Sequence, residues 1–124
     1  MSEQKPMAEL SDQTCSIAHL RELMTGFVSE RQWWKFHTPK NLAISISLEA
    51  SELLEHFQWV ESTQDALPPK TRHDVEEEMS DILAYLLSLS HVLKIDVASA
   101  FRRKMEKNAR KYPTEKFQGT WEKA

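Results

Sequence analysis

The chain has 124 residues, of which 40% are hydrophobic and 28% charged, a composition that fits one soluble globular domain and excludes a disordered or membrane-embedded chain. Its formal net charge of -3 gives no bulk attraction for nucleic acid or anionic lipid, so neither is an expected partner. The single cysteine, Cys15, excludes an internal disulfide and indicates a reducing compartment. Because the first residues also lack the apolar core of a signal peptide, we expect a cytoplasmic protein.

Helical periodicity marks the first two segments of the chain. Residues 16–31 are predicted to form the first helix. Thr38 can cap a second helix with Pro39 in its first turn, because a hydroxyl can accept a hydrogen bond there and a proline lacks only an N–H that has no helical partner. This second helix is predicted to run to about Val60. The predicted inward faces carry Ile17, Leu20, Met24, Phe27 and Val28 in the first helix and Ala43, Ile46, Ala50, Leu53, Leu54 and Phe57 in the second.

A polar linker over residues 61–70 separates the second helix from the third. It contains Pro68 and Pro69, and it is predicted to be a loop. The third helix is predicted over residues 71–93 and is apolar almost all round beyond Met79. Because three other short helices would not cover such a helix fully, we expect a subunit interface there.

The fourth predicted helix begins after Asp96, which can cap it, and stops at Tyr112 and Pro113. No segment alternates between polar and apolar residues in the manner of a half-buried strand. The sequence therefore predicts an all-α fold, a four-helix bundle, in a single domain that spans residues 1–124. Its helical core covers about residues 16–113, and we expect the two terminal tails to be flexible.

Two pairs of acidic residues recur at a three-residue spacing on the second and third helices. Glu49 and Glu52 form the first pair, and Glu78 and Asp81 form the second. Residues three apart on a helix share a face, and both pairs border an apolar stripe, so four carboxylates can converge if the helices pack side by side. Oxygen ligands favour hard cations, which predicts Mg²⁺ or Mn²⁺ at a site that handles phosphates.

The same acids have two other interpretations. A single pair of this kind is most often part of an ordinary solvated helix surface. Two pairs on consecutive helices favour a solvated surface and a metal site about equally. A di-iron bundle is the second alternative, but such bundles use Glu-x-x-His pairs, and none of these acids has a histidine three residues on.

Helix four carries six basic residues against one acid, Glu106. Lys104, Asn108 and Lys111 share one face of it, which predicts contacts with phosphate oxygens. The alternative is that cations simply favour the C-terminal half of a helix because of its dipole.

Aromatic residues cluster at the ends of the first two helices. Trp33 and His37 come at the end of helix one, with Trp34 and Phe36, and Trp59 ends helix two. Tyr85 lies one turn beyond Asp81. Core packing is the commoner role of such residues, but a flat base can also stack on them, so Trp33, Trp59, Tyr85 and His37 are candidate base contacts.

The ordered set of these features resembles the MazG-type all-α nucleoside triphosphate pyrophosphohydrolases, and it is closest to the dCTP pyrophosphatase branch. That family has Glu-x-x-Glu, a spacer and Glu-x-x-Asp, which are matched here by the two acid pairs. Further matches extend from about residue 20 to residue 113; they are Arg31-Gln-Trp33, Phe36-His37-x-Pro39-x-Asn41, Phe57-Gln58-Trp59, Tyr85, Lys104-Met105-x-x-Asn108 and Tyr112-Pro113.

The resemblance implies hydrolysis of a nucleoside triphosphate to a monophosphate and pyrophosphate by a homodimer or homotetramer. The four acids would hold Mg²⁺, and Glu49 or Glu52 would accept the proton of the attacking water. Lys104, Asn108 and Lys111 would steady the triphosphate, and the aromatic residues would frame the base.

One departure from the dCTP-hydrolysing branch concerns specificity. Those relatives carry a histidine near the place that Met24 occupies here, so a polar contact would have become apolar. Pyrimidine deoxynucleotides, including cytosine forms such as a modified dCTP, are the expected substrates. The main alternative is a non-catalytic helical module that dimerises or binds a nucleotide without turnover.

Overall fold

The computed structural model describes residues 7–59 and 67–120 of the chain. All regular secondary structure in these two ranges is helical, which confirms the all-α prediction. There are five α-helices, α1 to α5, and two short 3-10 turns at Met7–Glu9 and Trp34–Phe36. The helices are α1 Ile17–Glu30, α2 Pro39–Glu55, α3 Pro69–Val92, α4 Val97–Lys111 and α5 Thr114–Phe117.

Side-chain caps fix where the principal helices begin. The Thr38 hydroxyl accepts a hydrogen bond from the backbone N–H of Asn41 at 3.2 Å, and Pro39 is the first residue of α2. A carboxylate oxygen of Asp96 accepts from the backbone N–H of Ser99 at 2.9 Å at the start of α4. Both caps satisfy N–H groups that have no partner within the helix, as the sequence predicted.

Two boundaries differ from the prediction. The second helix ends at Glu55 rather than near Val60, residues 56–59 form a turn, and Val60 lies outside the described residues. The third helix begins at Pro69 rather than Thr71, so Pro69 was wrongly assigned to the loop. A proline is tolerated in the first helical turn because the N–H it lacks has no helical partner there.

Helix α1 ends before the aromatic residues that follow it. Its last residue is Glu30, and Gln32 takes a left-handed conformation with φ 54°, which stops the helix. Trp34–Phe36 then form a 3-10 turn of their own, and His37 lies just before the cap of α2. The aromatic segment is therefore a short connection that leads directly into the helix carrying the first acid pair.

The chain divides into two compact units, residues 1–94 and 95–124. In the first, α3 packs against both α1 and α2, more extensively against α2. Among the described residues, the buried apolar side chains are Val28, Leu42 and Leu87, none more than 4% exposed. Leu42 was not among the predicted inward residues, and Leu54, which was, is 62% exposed.

The second unit contains α4 and α5. Helix α4 ends at Lys111, as predicted, and α5 was not predicted. The rings of Tyr112 and Phe117 meet edge to face with centroids 5.2 Å apart. The prediction of a single domain stays a prediction, and the predicted flexible tails lie partly outside the described residues, at 1–6 and 121–124.

None of the described helices is by itself long and apolar enough to cross a membrane. Helices α3 and α4 meet that criterion only when they are joined as one broken segment, and then by length and composition alone.

The cap of α2 gives a stability prediction. Thr38→Ala removes the hydroxyl that accepts from Asn41, and we expect it to lower the free energy of unfolding by about 1 kcal/mol, as is usual for N-cap substitutions. Urea unfolding followed by circular dichroism measures this. Thr38→Ser keeps the acceptor and should stay close to the wild type, and equal losses in both variants would contradict the role of the cap.

Candidate metal centre and adjoining cavity

The packing of α2 on α3 brings three of the four predicted acids together. Glu49 and Glu52 lie on the last two turns of α2, and Glu78 lies on α3. One oxygen from each of these carboxyl groups lies within 4.8 Å of one from each of the other two. Three carboxylates so close repel one another strongly unless a proton or a cation lies among them.

Two oxygens of this cluster are sealed from solvent. Oε2 of Glu49 and Oε2 of Glu78 accept no hydrogen bond from any described residue. Buried polar atoms are normally paired, and an unpaired carboxylate oxygen is among the most unfavourable groups to bury. An all-oxygen set with free, buried lone pairs fits a hard divalent cation, so these residues form a candidate metal centre.

The effect of this crowding is seen in the pKa of Glu49. Burial, the neighbouring carboxyl groups of Glu78 and Glu52, and the charge of Asp81 together raise the pKa of Glu49 from its ordinary value of 4.5 to about 7, and burial is the largest of these causes. All of these causes disfavour the ionised form. A divalent cation would act in the opposite direction by favouring the charged carboxylates.

Asp81, the fourth predicted acid, lies one turn beyond Glu78 on α3 but outside the close three-residue cluster. Its side chain is exposed, and its charge still contributes to the raised pKa of Glu49. Asp81 also lines a cavity next to the cluster. It therefore connects the acidic centre with the cavity.

His56 is a neighbour of the cluster that the sequence analysis missed. Its Nε2 lies 3.9 Å from Oε1 of Glu78, and the two side chains are only 25% and 19% exposed. One oxygen of Glu78 thus faces a histidine, while the other is buried without a partner. The signal available in the sequence was spacing, since His56 follows Glu52 by four residues and so lies on the same helix face.

The adjoining cavity has a volume of about 490 Å³ and is bordered by α1, α3 and the aromatic connection. It collects three of the four predicted base contacts, Trp33, His37 and Tyr85, together with Met24 and Asp81. Most of the remaining lining is aliphatic, including Leu20, Leu23 and Leu83. A cavity of this size with few polar groups is typical of a small-molecule site.

Aromatic contacts surround Trp33 and Phe27, two of the residues that line this cavity. Trp33 meets Phe27 edge to face with centroids 5.8 Å apart, and the guanidinium of Arg31 lies 3.7 Å from the centre of the Phe27 ring. Both contacts fall in the range in which aromatic and cation–π pairs attract. Trp59, by contrast, is 86% exposed in the turn after α2 and is not among the described residues that line the cavity.

The predicted phosphate contacts lie on α4, in the second unit. Lys104 and Lys111 are exposed, and Asn108 is partly buried. Nζ of Lys111 lies 5.4 Å from the centre of the Tyr112 ring. The role of the three residues stays a prediction.

Together, the fold and this site define an all-α protein with an oxygen-only candidate metal centre beside an aromatic cavity. The chain belongs to the MazG-like family, whose model matches residues 44–124. That match begins within α2 and includes all four acids.

Individual relatives extend the similarity. The chain is 37% identical to dCTP pyrophosphatase 1 of Mus musculus over 108 residues, which are 85% of this chain and 64% of that protein. It is 37% identical to the Homo sapiens protein of the same name over 101 residues, 79% of this chain and 59% of the relative. The chain thus spans about three-fifths of the length of these relatives. A crystal structure of a pyrophosphatase from Archaeoglobus fulgidus matches with a TM-score of 0.71 and 43% identity over 85% of this chain and 99% of that one.

The raised pKa of Glu49 predicts a pH-dependent stability in the absence of metal. Because the folded protein holds a proton that the unfolded chain releases above its ordinary value of 4.5, the stability from this group is full below pH 4.5 and is lost as pH rises through about 7. Glu49→Gln cannot ionise, so it should gain stability relative to the wild type between pH 5 and pH 8.

Urea unfolding in EDTA at several pH values measures this difference. Glu55→Gln, which changes an exposed acid at the end of the same helix, should follow the pH dependence of the wild type. Parallel curves for Glu49→Gln and the wild type would contradict the assignment of a buried, repelled carboxyl group to Glu49.

Proposed function

We propose that this chain is a Mg²⁺-dependent nucleoside triphosphate pyrophosphohydrolase that acts on pyrimidine deoxynucleotides such as dCTP or a modified dCTP. The observation that supports this most directly is the convergence of Glu49, Glu52 and Glu78, with two of their oxygens buried and unpaired. Membership of the MazG-like family and the names of the relatives agree with it. We propose a role in clearing unwanted nucleotides, which such hydrolysis would serve.

The acids are proposed to hold the metal, with Glu49, Glu52 and Glu78 as the core and Asp81 at the side of the cavity. When bound, Mg²⁺ supplies positive charge that neutralises phosphate oxygens and makes a nearby water more acidic, and Mn²⁺ can supply the same chemistry. The sealed oxygens of Glu49 and Glu78 have no described donor, so their lone pairs are available to a cation.

Proton transfer is assigned to the Glu49–Glu52 pair. A water oxygen attacks the α-phosphorus, the bond from that phosphorus to the bridging oxygen of the β-phosphate breaks, and pyrophosphate leaves with the bridging electrons. One carboxylate of the pair accepts the proton that the water loses. A bound cation would favour the ionised form of both carboxylates, and an ionised carboxylate is the form that can accept this proton.

Recognition of the substrate is divided between charge and stacking. Lys104, Asn108 and Lys111, spaced to share one face of α4, are proposed to bind phosphate oxygens. Trp33 and Tyr85, which line the cavity, are proposed to frame the base.

Two further residues bear on the choice of base. Trp59 is proposed as an outer contact of the base from its exposed position after α2. The thioether of Met24 on the cavity wall favours an apolar edge of the base, such as a C5-substituted pyrimidine.

Apolar side chains exposed on α2 and α3 support a homodimer or homotetramer. Leu48, Met79 and Leu86 are each at least 44% exposed in the single chain, and an apolar groove of about 610 Å³ includes Met79 and Leu86. Exposed apolar patches of this kind commonly mark interfaces. The cytoplasmic location inferred from the lone cysteine stays a prediction.

A non-catalytic dimerisation or nucleotide-binding module is the alternative. Dimerisation needs the apolar groove but has no use for three crowded carboxylates, whose mutual repulsion lowers stability. The acidic cluster therefore argues against a module that only dimerises. Nucleotide binding that depends on Mg²⁺ but proceeds without turnover, measured by calorimetry, would support the module instead.

Substitution of the acids tests the catalytic assignment. Glu52→Gln, Glu78→Gln and Asp81→Asn each remove a charge that is proposed to hold the metal, and we expect pyrophosphate release to fall by about a hundredfold or more. A coupled pyrophosphate assay measures the rate. Glu55→Gln is the matched control and should retain full activity. Full activity in Glu52→Gln and Asp81→Asn would overturn the site assignment.

The substrate and the position of attack are tested together. A screen of all ribo- and deoxynucleoside triphosphates should give the highest kcat/KM with pyrimidine deoxynucleotides. In ¹⁸O-water, attack at the α-phosphorus should place the label in the monophosphate. Label in the pyrophosphate would exclude attack at that atom, and a preference for purines would contradict the proposed base.

A further inference from the structure

Ser88 and His37 form a buried polar pair beside the aromatic cavity. Ser88, on α3, is 0% exposed, and its Oγ lies 2.8 Å from Nδ1 of His37. The rings of Trp34 and Tyr85 lie 5.9 and 6.3 Å from the imidazole ring, and the backbone N–H of His37 donates to the carbonyl of Trp34 at 3.1 Å. These contacts hold the imidazole in one orientation, with Nδ1 toward Ser88.

The hydroxyl proton of Ser88 has one acceptor. Ser90, two residues further on, donates its hydroxyl to the carbonyl of Leu87 at 2.7 Å, whereas Ser88 Oγ has no hydrogen-bond partner among the described residues other than His37. If Nδ1 carried the ring proton, the buried hydroxyl proton of Ser88 would have no acceptor, which disfavours that tautomer roughly tenfold or more. Ser88 therefore donates to Nδ1, and the ring proton lies on Nε2.

The other ring nitrogen of His37, Nε2, is available to bind a ligand. Nε2 has no hydrogen-bond partner in the part of the chain that the structure describes, and it is not among the sealed polar atoms there. His37 lines the cavity, and burial lowers its pKa, so the neutral ring is favoured at neutral pH. The only polar hydrogen that the ring can offer to a ligand is then the one on Nε2.

We propose that Ser88 is a positioning residue that holds His37 as the Nε2–H tautomer, and that His37 selects ligands presenting a hydrogen-bond acceptor to it. The acceptor is a carbonyl oxygen or an unprotonated ring nitrogen of the base. The ligand part of this proposal rests on the proposed function, whereas the tautomer part does not. Because much of the cavity wall is aliphatic, a base without an acceptor leaves the desolvated N–H unpaired and binds more weakly.

The tautomer is tested by NMR, without any substrate. Long-range ¹H–¹⁵N spectra of the full-length ¹⁵N-labelled protein distinguish the two ring nitrogens of each histidine. The signals that disappear in His37→Gln belong to His37. We expect a single Nε2–H tautomer in the wild type and a mixture of tautomers in Ser88→Ala, which removes only the hydroxyl oxygen.

Ser90→Ala removes a second buried hydroxyl of the same helix that does not contact His37, and it should leave the His37 signals unchanged. An Nδ1–H tautomer in the wild type would overturn the proposal, and so would unchanged signals in Ser88→Ala. The spectrum of the wild type decides the first point even if a variant does not fold.

The ligand part is tested with a pair of substrates of the same shape, dTTP and the triphosphate of its 2,4-difluorotoluene isostere, which lacks the carbonyl oxygens and ring nitrogens. In the wild type, KM should be at least tenfold lower for dTTP. His37→Leu should bring the ratio within about twofold, and Ser88→Ala should reduce it partly.

The two parts can fail separately. A ratio that His37→Leu leaves unchanged would overturn the ligand part. The absence of turnover with every triphosphate would overturn the proposed function, and the ligand part with it, while the NMR spectra would still decide the tautomer.

Discussion

Repulsion among carboxylates at the contact of α2 and α3 is the constraint on which the site depends. Glu49, Glu52 and Glu78 come from two helices that pack extensively, so they cannot separate without loosening that contact. A proton or a cation can relieve the repulsion. Burial and the neighbouring acids together therefore raise the pKa of Glu49 to about 7. The chain thus keeps an unfavourable arrangement that a divalent metal would turn into a favourable one.

The cavity depends on the same helix pair. Asp81 and Tyr85 follow Glu78 along α3, so the helix that supplies a carboxylate to the centre also supplies a wall of the cavity. The opposite side comes from α1 and from the aromatic connection, whose His37 immediately precedes the Thr38 cap of α2. Chemistry on a phosphate and recognition of a base can therefore be coupled through a few residues of one unit.

The sequence predicted the helices, and the convergence of Glu49, Glu52 and Glu78, because both leave local signals. A cap such as Thr38 can be recognised from four consecutive residues. Acids that are three residues apart in a helix lie on the same face of it. Two features escaped the sequence analysis. The contact of Ser88 with His37 joins residues 51 positions apart, and a serine in an apolar helix gives no sign of its partner. The exposed position of Trp59 follows from the early end of α2, which no local pattern marked.

The central claim, that the converging carboxylates hold a divalent cation, is tested most directly by Mn²⁺ binding measured by electron paramagnetic resonance. The signal of free Mn²⁺ should fall as wild-type protein is added. Glu78→Gln should weaken this binding at least tenfold, because it neutralises a carboxylate of the cluster, while Glu55→Gln should bind like the wild type. Equal binding by Glu78→Gln and the wild type would contradict the account.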